Sequence, residues 1–343
     1  MDLSRYKGKK VFITGHNGFK GSWMCKVLTD LGAKVCGYSI PVKDDTIGYM
    51  RSDVESIEGD IRNLKDLKDA VSSFSPDIAI HMAAQPLVRE SYLDPVYTYE
   101  VNVMGTVNFM EALRDSKVRS IVNVTTDKVY RNLEQDAGYK EDDIIDGNDP
   151  YANSKSCSEL VTSTYRRSFF DALKIPVSTC RAGNVIGGGD WAKDRIVPDC
   201  AKAAMDNAVI RIRNTASIRP YQHVLEPVCA YLMVAASQME DPSLAGSYNI
   251  GPDDGDYATT LELVEMFVKN WSGAKWESAE EKNAPKESGI LKLDSEKVKK
   301  VFKWSPKWNT SDAVSKTVEW YKAYANGMDM NEVTEKQIKE YLS

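Results

Sequence analysis

Short apolar runs rich in β-branched residues alternate along the first half of the chain with longer segments of mixed polarity. The runs are short enough to be buried strands, and the longer segments repeat their apolar positions every three to four residues, as amphipathic helices do. This alternation predicts an α/β fold with a doubly wound parallel sheet. The predicted strands are Lys10–Thr14, Lys34–Tyr38, Ser56–Glu58, Ile78–Met82, Ser120–Thr125, Val177–Gly183 and, late in the chain, Ser247–Ile250. The predicted helices between them are Trp23–Leu31, Leu64–Phe74, Val96–Arg114 and Tyr151–Phe170.

The pattern changes after about residue 187, where a glycine run is followed by loops rich in Arg, Asn and Pro. A later helical segment, Glu226–Met239, and the last predicted strand indicate that the chain crosses back into the first lobe. The tail, Ser311–Leu342, is predicted to be helical. We therefore expect a first lobe over 1–187 with a return segment at about 223–250, and a smaller, mostly α lobe over 188–222 and 251–343.

A glycine-rich loop lies between the first predicted strand and the first predicted helix. Gly15, Gly18 and Gly21 allow a tight turn, a close approach to a pyrophosphate and close packing of helix on strand. The start of the following helix adds free amides and the positive end of a dipole. An ordinary glycine turn is the alternative, but this position in the chain favours the dinucleotide cradle of a Rossmann sheet.

Composition excludes several classes of protein. A net charge of -6 argues against a general nucleic-acid binder. No apolar run is long enough to span a membrane and the first ten residues lack the apolar core of a signal peptide, so we expect a cytoplasmic protein. Six cysteines without a C-x-x-C pair and three scattered histidines predict free thiols and no metal site.

Tyr151 and Lys155 lie four residues apart at the start of a predicted helix, so both side chains lie on one face. An ammonium group near a phenol favours the phenolate and lowers a tyrosine pKa that is about 10 when unperturbed. Tyr151 would then be a usable base, and Lys155 can also hold a ribose hydroxyl. A solvated lysine one turn from a packed tyrosine is the alternative, which the glycine loop makes less favourable.

A polar segment of Thr125, Thr126, Asp127 and Lys128 ends the fifth predicted strand. Ligands of open α/β sheets bind at the carboxyl ends of the strands, so these side chains are expected to point into the site. We expect Thr126 to hydrogen-bond a sugar hydroxyl.

Together these motifs resemble the extended short-chain dehydrogenase/reductases that act on nucleotide sugars. The resemblance covers nearly the whole chain and also rests on Asp60-Ile61, His81-Met82-Ala83-Ala84 and Asn102. Two long motifs, Arg181–Trp191 and Ile218–Pro227, more narrowly resemble the CDP-glucose 4,6-dehydratase branch. The resemblance implies that the first lobe is a dinucleotide-binding Rossmann domain and that the smaller lobe binds the nucleotide sugar.

The implied reaction oxidises C4 of a nucleotide-activated hexose, eliminates water across C5 and C6, and returns the hydride to C6. Tyr151 would take the proton of the 4-hydroxyl, and Asp127 would protonate the departing 6-hydroxyl. Lys128 stands where related dTDP-glucose dehydratases have a glutamate that serves as the C5 base. Lys128 can replace it only if burial or Lys155 lowers its pKa from about 10.4, so this assignment is a hypothesis.

The implied cofactor is NAD, since the internal hydride cycle returns it to its starting state. No carboxylate follows the second strand before Asp44, so this position does not separate NAD from NADP, and Lys20, Lys43 or Arg62 can accommodate a 2′-phosphate. Asp60 is expected to contact the adenine amine. The residues expected to bind the cofactor are Gly15, His16, Asn17, Gly18, Phe19, Lys20, Asp60, Ile61, Ala83, Ala84, Gln85, Thr125, Tyr151 and Lys155.

The implied substrate site needs cations for a diphosphate. Guanidinium groups give bidentate, charge-assisted contacts to phosphate oxygens, which points to Arg195 and Arg219. His223 is alternatively a buried core histidine, and His81 is expected to be structural because it lies within a strand. The residues expected to bind substrate are Gln85, Thr126, Asn184, Arg195, Arg219, Gln222 and His223.

Two other functions compete with the dehydratase. An epimerase or reductase of the same superfamily would share Tyr151 and Lys155 but needs no acid at C6. A non-catalytic cofactor-sensing protein would need the glycine loop without the tyrosine and lysine. By resemblance we also expect a homodimer, or a dimer of dimers, through the Val96–Arg114 and Tyr151–Phe170 helices, with neither nucleic acid nor membrane as a partner.

Overall fold

The chain forms one large parallel sheet, three small two-stranded sheets and surrounding helices. A computed structural model describes residues 2–42, 48, 50, 52–279 and 289–343. Its strands are β1 (Lys10–Thr14), β2 (Lys34–Ser39), β3 (Val54–Glu58), β4 (Ile78–His81), β5 (Ser120–Val124), β6 (Val177–Ala182), β7 (Asn184–Ile186), β8 (Val209–Ile212), β9 (Ile218–Arg219), β10 (Tyr221–His223), β11 (Ser247–Ile250), β12 (Ala258–Thr259) and β13 (Lys275–Ser278). Its α-helices are α1 (Phe19–Asp30), α2 (Leu64–Phe74), α3 (Val88–Leu93), α4 (Pro95–Tyr99), α5 (Gly105–Leu113), α6 (Pro150–Tyr165), α7 (Ile196–Met205), α8 (Leu225–Glu240), α9 (Thr260–Asn270), α10 (Glu296–Phe302), α11 (Thr310–Ala325) and α12 (Met330–Leu342).

The large sheet has seven strands in the order β3-β2-β1-β4-β5-β6-β11, and every neighbouring pair is parallel. The order reverses between β1 and β4, which is the switch point where open α/β sheets bind ligands. The predicted doubly wound Rossmann sheet, including its late strand β11, is confirmed.

Both faces of the sheet are covered, because successive side chains of a strand point to opposite faces. In β1, Val11 and Ile13 belong to a core that includes α1 and α8. Phe12, between them, belongs to a second core with α2 and α5. The continuous apolar run of β1 therefore indicates a strand buried on both faces.

The described residues also form three small two-stranded sheets, β7 with β10, β9 with β12 and β8 with β13. Strands of two to four residues separated by polar loops carry little periodic signal, and none of these six strands was predicted from the sequence. The helices α3, α7, α9 and α10 were not predicted either. The division of the chain into two domains remains a prediction.

Two predicted helices are interrupted. The segment predicted as Val96–Arg114 consists of α4, a π-helical turn at Glu100–Met104 and α5. The segment predicted as Tyr151–Phe170 ends with a second π-helical turn at Arg166–Phe170. Such turns keep the apolar spacing of a helix, so periodicity does not reveal them.

The predicted helical tail consists of two helices, α11 and α12. Gly327, with φ of 69°, lies between them in the left-handed region that favours glycine. Among the helices that the structure describes, none is both long and apolar enough to cross a membrane.

Candidate active site

The glycine loop joins β1 to α1 and leaves the start of that helix open. Gly15 has φ of 74°, and a Cβ there would lie 2.7 Å from the backbone nitrogen of Ala83. A Cβ at Gly21 would lie 2.2 Å from the Gly15 carbonyl oxygen. These two positions therefore require glycine for the turn and for the packing of α1 on the sheet.

The first turn of α1 has the features of an anion site. Its N-cap, Gly18, provides no side-chain hydrogen bond, so the first amides of the helix have no capping group from that residue. A Cβ at Gly18 would meet no atom closer than 3.5 Å, which leaves room above the loop. An open helix start with free amides and a positive dipole end suits a pyrophosphate.

His16 lies behind the loop rather than on its open side. Its side chain is buried, and Nε2 pairs with the Ser56 hydroxyl at 2.8 Å. A Cβ at Gly37 would lie 2.0 Å from the His16 ring, so the ring fills the space that the missing side chain of β2 leaves. The neighbouring Asn17 donates from Nδ2 to the Ile40 carbonyl at 2.9 Å.

The segment after β5 forms a short 3₁₀ turn, Asp127–Val129, capped by Thr126. The Thr126 hydroxyl donates to Oδ1 of Asp127 at 3.0 Å. Asp127 is 1% exposed, and its Oδ2 has no hydrogen-bond partner among the described residues. Burial raises the pKa of Asp127, opposed by the charges of Lys128, Arg219 and Lys20 and by the Thr126 hydrogen bond. A buried carboxyl with a raised pKa is suited to donate a proton.

Tyr151 and Lys155 lie on the first two turns of α6. The helix begins at Pro150 and is capped by Asp149, whose side chain accepts from the backbone nitrogen of Ala152 at 2.8 Å. This start directs both side chains toward the carboxyl end of β5. Lys155 donates from Nζ to the Val124 carbonyl at 2.9 Å.

The electrostatics of Tyr151 differ from the expectation. Burial raises the pKa of Tyr151 to about 12, and a hydrogen bond with Thr126 and the charge of Arg195 oppose the rise. The Lys155 ammonium donates to the Val124 carbonyl, and the lowering of the Tyr151 pKa by Lys155 stays a prediction. Arg195 is a cation that favours the Tyr151 phenolate.

Asp127, Lys128 and Tyr151 face one cleft of about 740 Å³ at the carboxyl edge of the large sheet, whereas Lys155 does not line it. Ser217 and Arg219, around β9, contribute to the wall on the side of the smaller lobe. The predicted site residues on the wall are Phe19, Lys20, Thr125, Thr126, Asp127, Lys128, Tyr151, Asn184, Arg195 and Arg219. The sequence therefore brings a phenol, a carboxyl and several cations to a single cavity.

Lys20 points into this cleft from the start of α1. Burial and the charge of Arg195 lower the pKa of Lys20 to about 8, whereas the carboxylates of Asp127 and Asp190 oppose the shift. The ammonium therefore faces the groups at the centre of the cleft.

Arg195 and Arg219 are held in different ways. Arg195 donates to Oδ2 of Asp190 at 3.0 Å, and Asp190 is almost fully buried. Arg219 is 5% exposed and donates from Nη1 to the carbonyls of Ile218 and Gly289, at 2.9 and 3.3 Å. Both guanidinium groups are fixed before any ligand contact, which lowers the entropy lost on binding an anion.

Several predicted cofactor residues have structural contacts. Asp60 pairs with Arg62 at 2.7 Å, and Arg62 also contacts Glu100 at 2.8 Å. Ile61 is buried and packs in the second core. The backbone of Ala83 lies next to Gly15, and Ala84 follows it in the chain. Lys43 lies outside the residues that the structure describes.

Gln85 uses its side chain inside the fold. Its Nε2 donates to the Thr98 hydroxyl at 2.9 Å, and its Oε1 accepts from the backbone nitrogen of Leu87 at 2.6 Å. Asn102 holds the backbone of Gln85 through a 2.8 Å hydrogen bond. Pro86 and Leu87, rather than Gln85, line the cleft, so the expected substrate contact of this amide is not seen.

Gln222 and His223 are buried and lie off the cleft wall, and their roles in substrate binding stay predictions. His223 is fully buried, and its ring lies between Trp23 and Trp308 at centroid distances of 5.5 and 4.9 Å. Gln222 is 2% exposed and, like His223, is absent from the cleft wall. Successive residues of β10 face opposite sides, so Tyr221 lines the cleft and Gln222 does not.

The sequence analysis missed an ion-pair cluster on the cleft wall. Asp194 contacts Arg213 at 2.7 Å and Arg89 at 3.8 Å. These residues come from three distant segments, so sequence spacing carries no signal of their proximity. Asp190 lies within the motif Arg181–Trp191, but no role was predicted for it.

Sequence and structure comparisons fit this geometry. The family described as GDP-mannose 4,6 dehydratase matches residues 12–317 of the chain. The chain belongs to this family. Its membership confirms the resemblance predicted from the motifs.

One curated relative of this GDP-mannose 4,6 dehydratase family chain is a CDP-glucose 4,6-dehydratase from Salmonella typhimurium. It is 42% identical over 355 residues, which cover 100% of this chain and 99% of the relative. A CDP-paratose 2-epimerase from Salmonella typhi is 25% identical and covers 91% of this chain and 98% of its own length.

Solved structures show the same fold. A dTDP-glucose 4,6-dehydratase from Streptomyces venezuelae, with NAD bound, has a TM-score of 0.80 at 22% identity and covers 93% of this chain and 98% of its own. A UDP-glucose 4-epimerase from Thermotoga maritima has a TM-score of 0.79 at 19% identity, covering 92% and 99%. Dehydratases and epimerases thus share this architecture, and the fold alone does not separate them.

Proposed function

We propose that the protein is an NAD-dependent nucleotide-sugar 4,6-dehydratase that converts CDP-glucose into CDP-4-keto-6-deoxyglucose and water. The observation that carries the proposal is the buried Asp127 carboxyl, with its raised pKa, in the same cleft as Tyr151. An elimination needs an acid for the leaving hydroxyl in addition to the base for oxidation. The 42% identical Salmonella CDP-glucose dehydratase supports the choice of substrate.

The glycine loop fits NAD. The open start of α1 and the free space above Gly18 suit the pyrophosphate, with Phe19 and Lys20 at the first helical positions. We assign Asp60 to the adenosine end, where Arg62 holds the carboxylate in place. Thr125, Tyr151 and Lys155 would hold the nicotinamide end at the carboxyl edge of β5.

NAD supplies the hydride acceptor for C4 and the donor that returns the hydride to C6. Tyr151 takes the proton of the sugar 4-hydroxyl while that carbon is oxidised. Tyr151 accepts this proton as the phenolate, which Arg195 and Thr126 stabilise because both oppose the burial that raises the pKa of Tyr151. The ketone at C4 then acidifies the hydrogen at C5.

Asp127 and Lys128 serve the elimination step. Asp127 gives its proton to the departing 6-hydroxyl, which leaves as water, and Lys128 removes the C5 proton. Lys128 adjoins Asp127 on the same 3₁₀ turn and lines the cleft, so acid and base act from one short segment. Lys128 returns its proton to C5 as the hydride adds to C6. Tyr151 releases the proton it took from the 4-hydroxyl, and Asp127 takes up one proton from solvent, so all three groups regain their starting states.

The diphosphate is assigned to the cationic wall of the cleft. Arg195 and Arg219 present fixed guanidinium groups, which bind phosphate oxygens in bidentate fashion. Asn184 lies on the same wall at the start of β7. The nucleoside is assigned to the part of the smaller lobe around β8 and β9.

A four-helix dimer interface is also proposed. Side chains of α3–α5 and α6 leave a row of apolar groups exposed, with Leu93 at 78%, Val96 at 67%, Met104 at 51% and Leu160 at 57%. Such a patch on two neighbouring helices suits a second copy of the chain. The division into a cofactor lobe and a nucleotide-sugar lobe is part of the same proposal.

The direct test incubates purified protein with NAD and with CDP-, UDP-, dTDP- or GDP-glucose in parallel. We expect a 4-keto-6-deoxy product from CDP-glucose at a higher kcat/KM than from the other three. Net formation of NADH without that product would contradict a dehydratase. NAD binding without turnover of any nucleotide sugar would favour a sensing role.

A further inference from the structure

Glu159 is a buried carboxylate with no part in the proposed chemistry. It lies one helical turn beyond Lys155 on α6, facing β5 and β6, and is 3% exposed. The hydroxyls of Thr125 and Thr179 donate to its two oxygens, the latter at 2.7 Å. Arg181 donates to both oxygens as well, from Nε at 2.9 Å and from Nη2 at 3.0 Å.

Arg181 connects this carboxylate to the last strand of the sheet. It is 2% exposed and donates from Nη1 to the Tyr130 hydroxyl at 2.8 Å and to the Glu141 carbonyl at 2.9 Å. The Tyr130 hydroxyl donates onward to Oδ1 of Asn249 in β11 at 2.6 Å. The charged groups of Glu159 and Arg181 are therefore hydrogen-bonded as well as paired with each other, which is the condition under which two buried charges are tolerated.

The hydrogen-bond network of Glu159 meets the candidate active site at the neighbouring residues Val124 and Thr125. Lys155 donates to the Val124 carbonyl, and Thr125, the next residue, donates its hydroxyl to Glu159. Thr126 and Asp127 follow directly. Glu159 thus ties α6, which carries Tyr151 and Lys155, to the segment that carries the acid.

Glu159 also places a negative charge near the positively charged ammonium of Lys155. Burial and the charge of Lys20 lower the pKa of Lys155 to about 8, and Glu159 opposes this shift. The other titratable groups near Lys155 are Tyr151 on its own helix and His81 on β4. Burial and the charge of Lys155 lower the pKa of His81 to about 3, so its ring is neutral.

We propose that Glu159, held by Arg181, is a positioning residue that fixes α6 against the end of β5 and places a carboxylate charge one helical turn from Lys155. Its kinetic consequence rests on the proposed function, in which Lys155 holds the cofactor. The competing explanation is that the pair only stabilises the fold.

The variants must remove the charge of Glu159 without leaving Arg181 buried and unpaired, which would destabilise the protein for an unrelated reason. Glu159→Gln/Arg181→Met removes both charges and keeps an acceptor for the threonines. Glu159→Leu/Arg181→Met fills the same space with apolar groups and replaces the first variant where that one does not fold. Arg181→Lys keeps the carboxylate paired and is the matched control.

The experiment measures the dissociation constant of NAD between pH 6 and 10 by calorimetry, without substrate. Loss of the Lys155 proton weakens NAD binding, so the wild type has a midpoint near the pKa of Lys155. We expect the double variants to bind NAD with that midpoint at a lower pH than in the wild type, because the carboxylate that opposes the lowering of the Lys155 pKa is gone. Arg181→Lys should keep the wild-type midpoint even where its thermal stability falls.

An unchanged midpoint in a folded double variant overturns the proposal and leaves a purely structural pair. A pH-independent dissociation constant in the wild type overturns it too, because the charge of Lys155 then has no effect on NAD. Turnover of CDP-glucose by the same wild-type preparation tests the proposed function separately. An enzyme that is active but shows no midpoint shift fails this inference alone.

Discussion

Lys155 donates its ammonium hydrogen bond to the Val124 carbonyl at 2.9 Å, at the end of strand β5. The hydroxyl of Tyr151, one turn earlier on the same helix, instead faces Thr126 and Arg195. The two side chains expected to act as a pair therefore have different partners. Tyr151 depends on Arg195 and Thr126 for its acidity, and Lys155 depends on its carboxylate neighbour Glu159.

Tyr151→Phe removes the base for oxidation at C4. We expect kcat to fall by about 10²–10⁴-fold, the usual contribution of a general base, with a much smaller loss of NAD affinity from the missing contact of the Tyr151 hydroxyl with the cofactor. Steady-state kinetics with CDP-glucose and calorimetry with NAD measure the two effects. Tyr165→Phe, on the same helix but away from the cleft, is the control and should retain wild-type kcat.

Asp127→Asn removes the acid while leaving the base for oxidation in place. We expect oxidation at C4 to continue and dehydration to slow by about 10²–10⁴-fold. NADH absorbance should therefore accumulate on the enzyme with CDP-glucose, whereas the wild type shows little. Asp146→Asn, an exposed partner of Arg131, is the control. Normal dehydration by Asp127→Asn would show that another group is the acid.

Glu226 predicts a specific pH dependence of stability. It is fully buried, accepts from the backbone nitrogens of Lys307 and Trp308 at 2.9 and 2.8 Å, and accepts from the Tyr341 hydroxyl at 2.6 Å. Burial raises the pKa of Glu226 from 4.5 to about 7, against these three hydrogen bonds. The folded protein therefore keeps this proton at pH values where the unfolded chain has lost it.

This group stabilises the fold below pH 4.5, and its contribution is lost as the pH rises through about 7. Across that window the free energy of unfolding should fall by on the order of 3 kcal/mol relative to Glu226→Gln, which does not titrate. Denaturant unfolding of both proteins at several pH values measures the difference. Glu240→Gln, at the exposed end of the same helix, is the control. A difference that does not change with pH would contradict the prediction.

Gly37→Ala tests the packing behind the glycine loop. The new Cβ would lie 2.0 Å from the His16 ring, so the ring must move. We expect a loss of about 1–3 kcal/mol in the free energy of unfolding, as in other overpacked cores, together with weaker NAD binding. Gly246→Ala is the matched control, since its Cβ would meet nothing closer than 3.7 Å. Equal effects of the two substitutions would argue against a role for the ring.

The large sheet was predictable because its central strands, such as β1 and β4, are short apolar runs with clear boundaries. Residues such as Phe12, flanked by Val11 and Ile13, carry the signal of burial on both faces. Polar residues at strand ends, such as Asp127, were also predictable because their position along a parallel strand determines the edge they occupy. The small sheets were not, since strands as short as β9 have no periodicity.

Contacts between distant segments of the chain carried no signal in the sequence. His223 belongs to a polar motif, but its ring packs between Trp23 and Trp308, which lie far from it in the chain. The ion pair of Asp194 with Arg213 joins segments 19 residues apart in the chain and depends on the fold. Glu159 lies four residues after Lys155, so the sequence already places the two side chains on one face of the predicted helix.

The most direct test of the central claim uses CDP-glucose that carries deuterium at C4, with the enzyme and unlabelled NAD. A 4,6-dehydratase moves that hydrogen within one molecule, so the product should be CDP-4-keto-6-deoxyglucose with the deuterium in its C6 methyl group. Mass spectrometry and NMR of the product locate the label. Deuterium that remains at C4, or that is released in free reduced cofactor, would contradict the account.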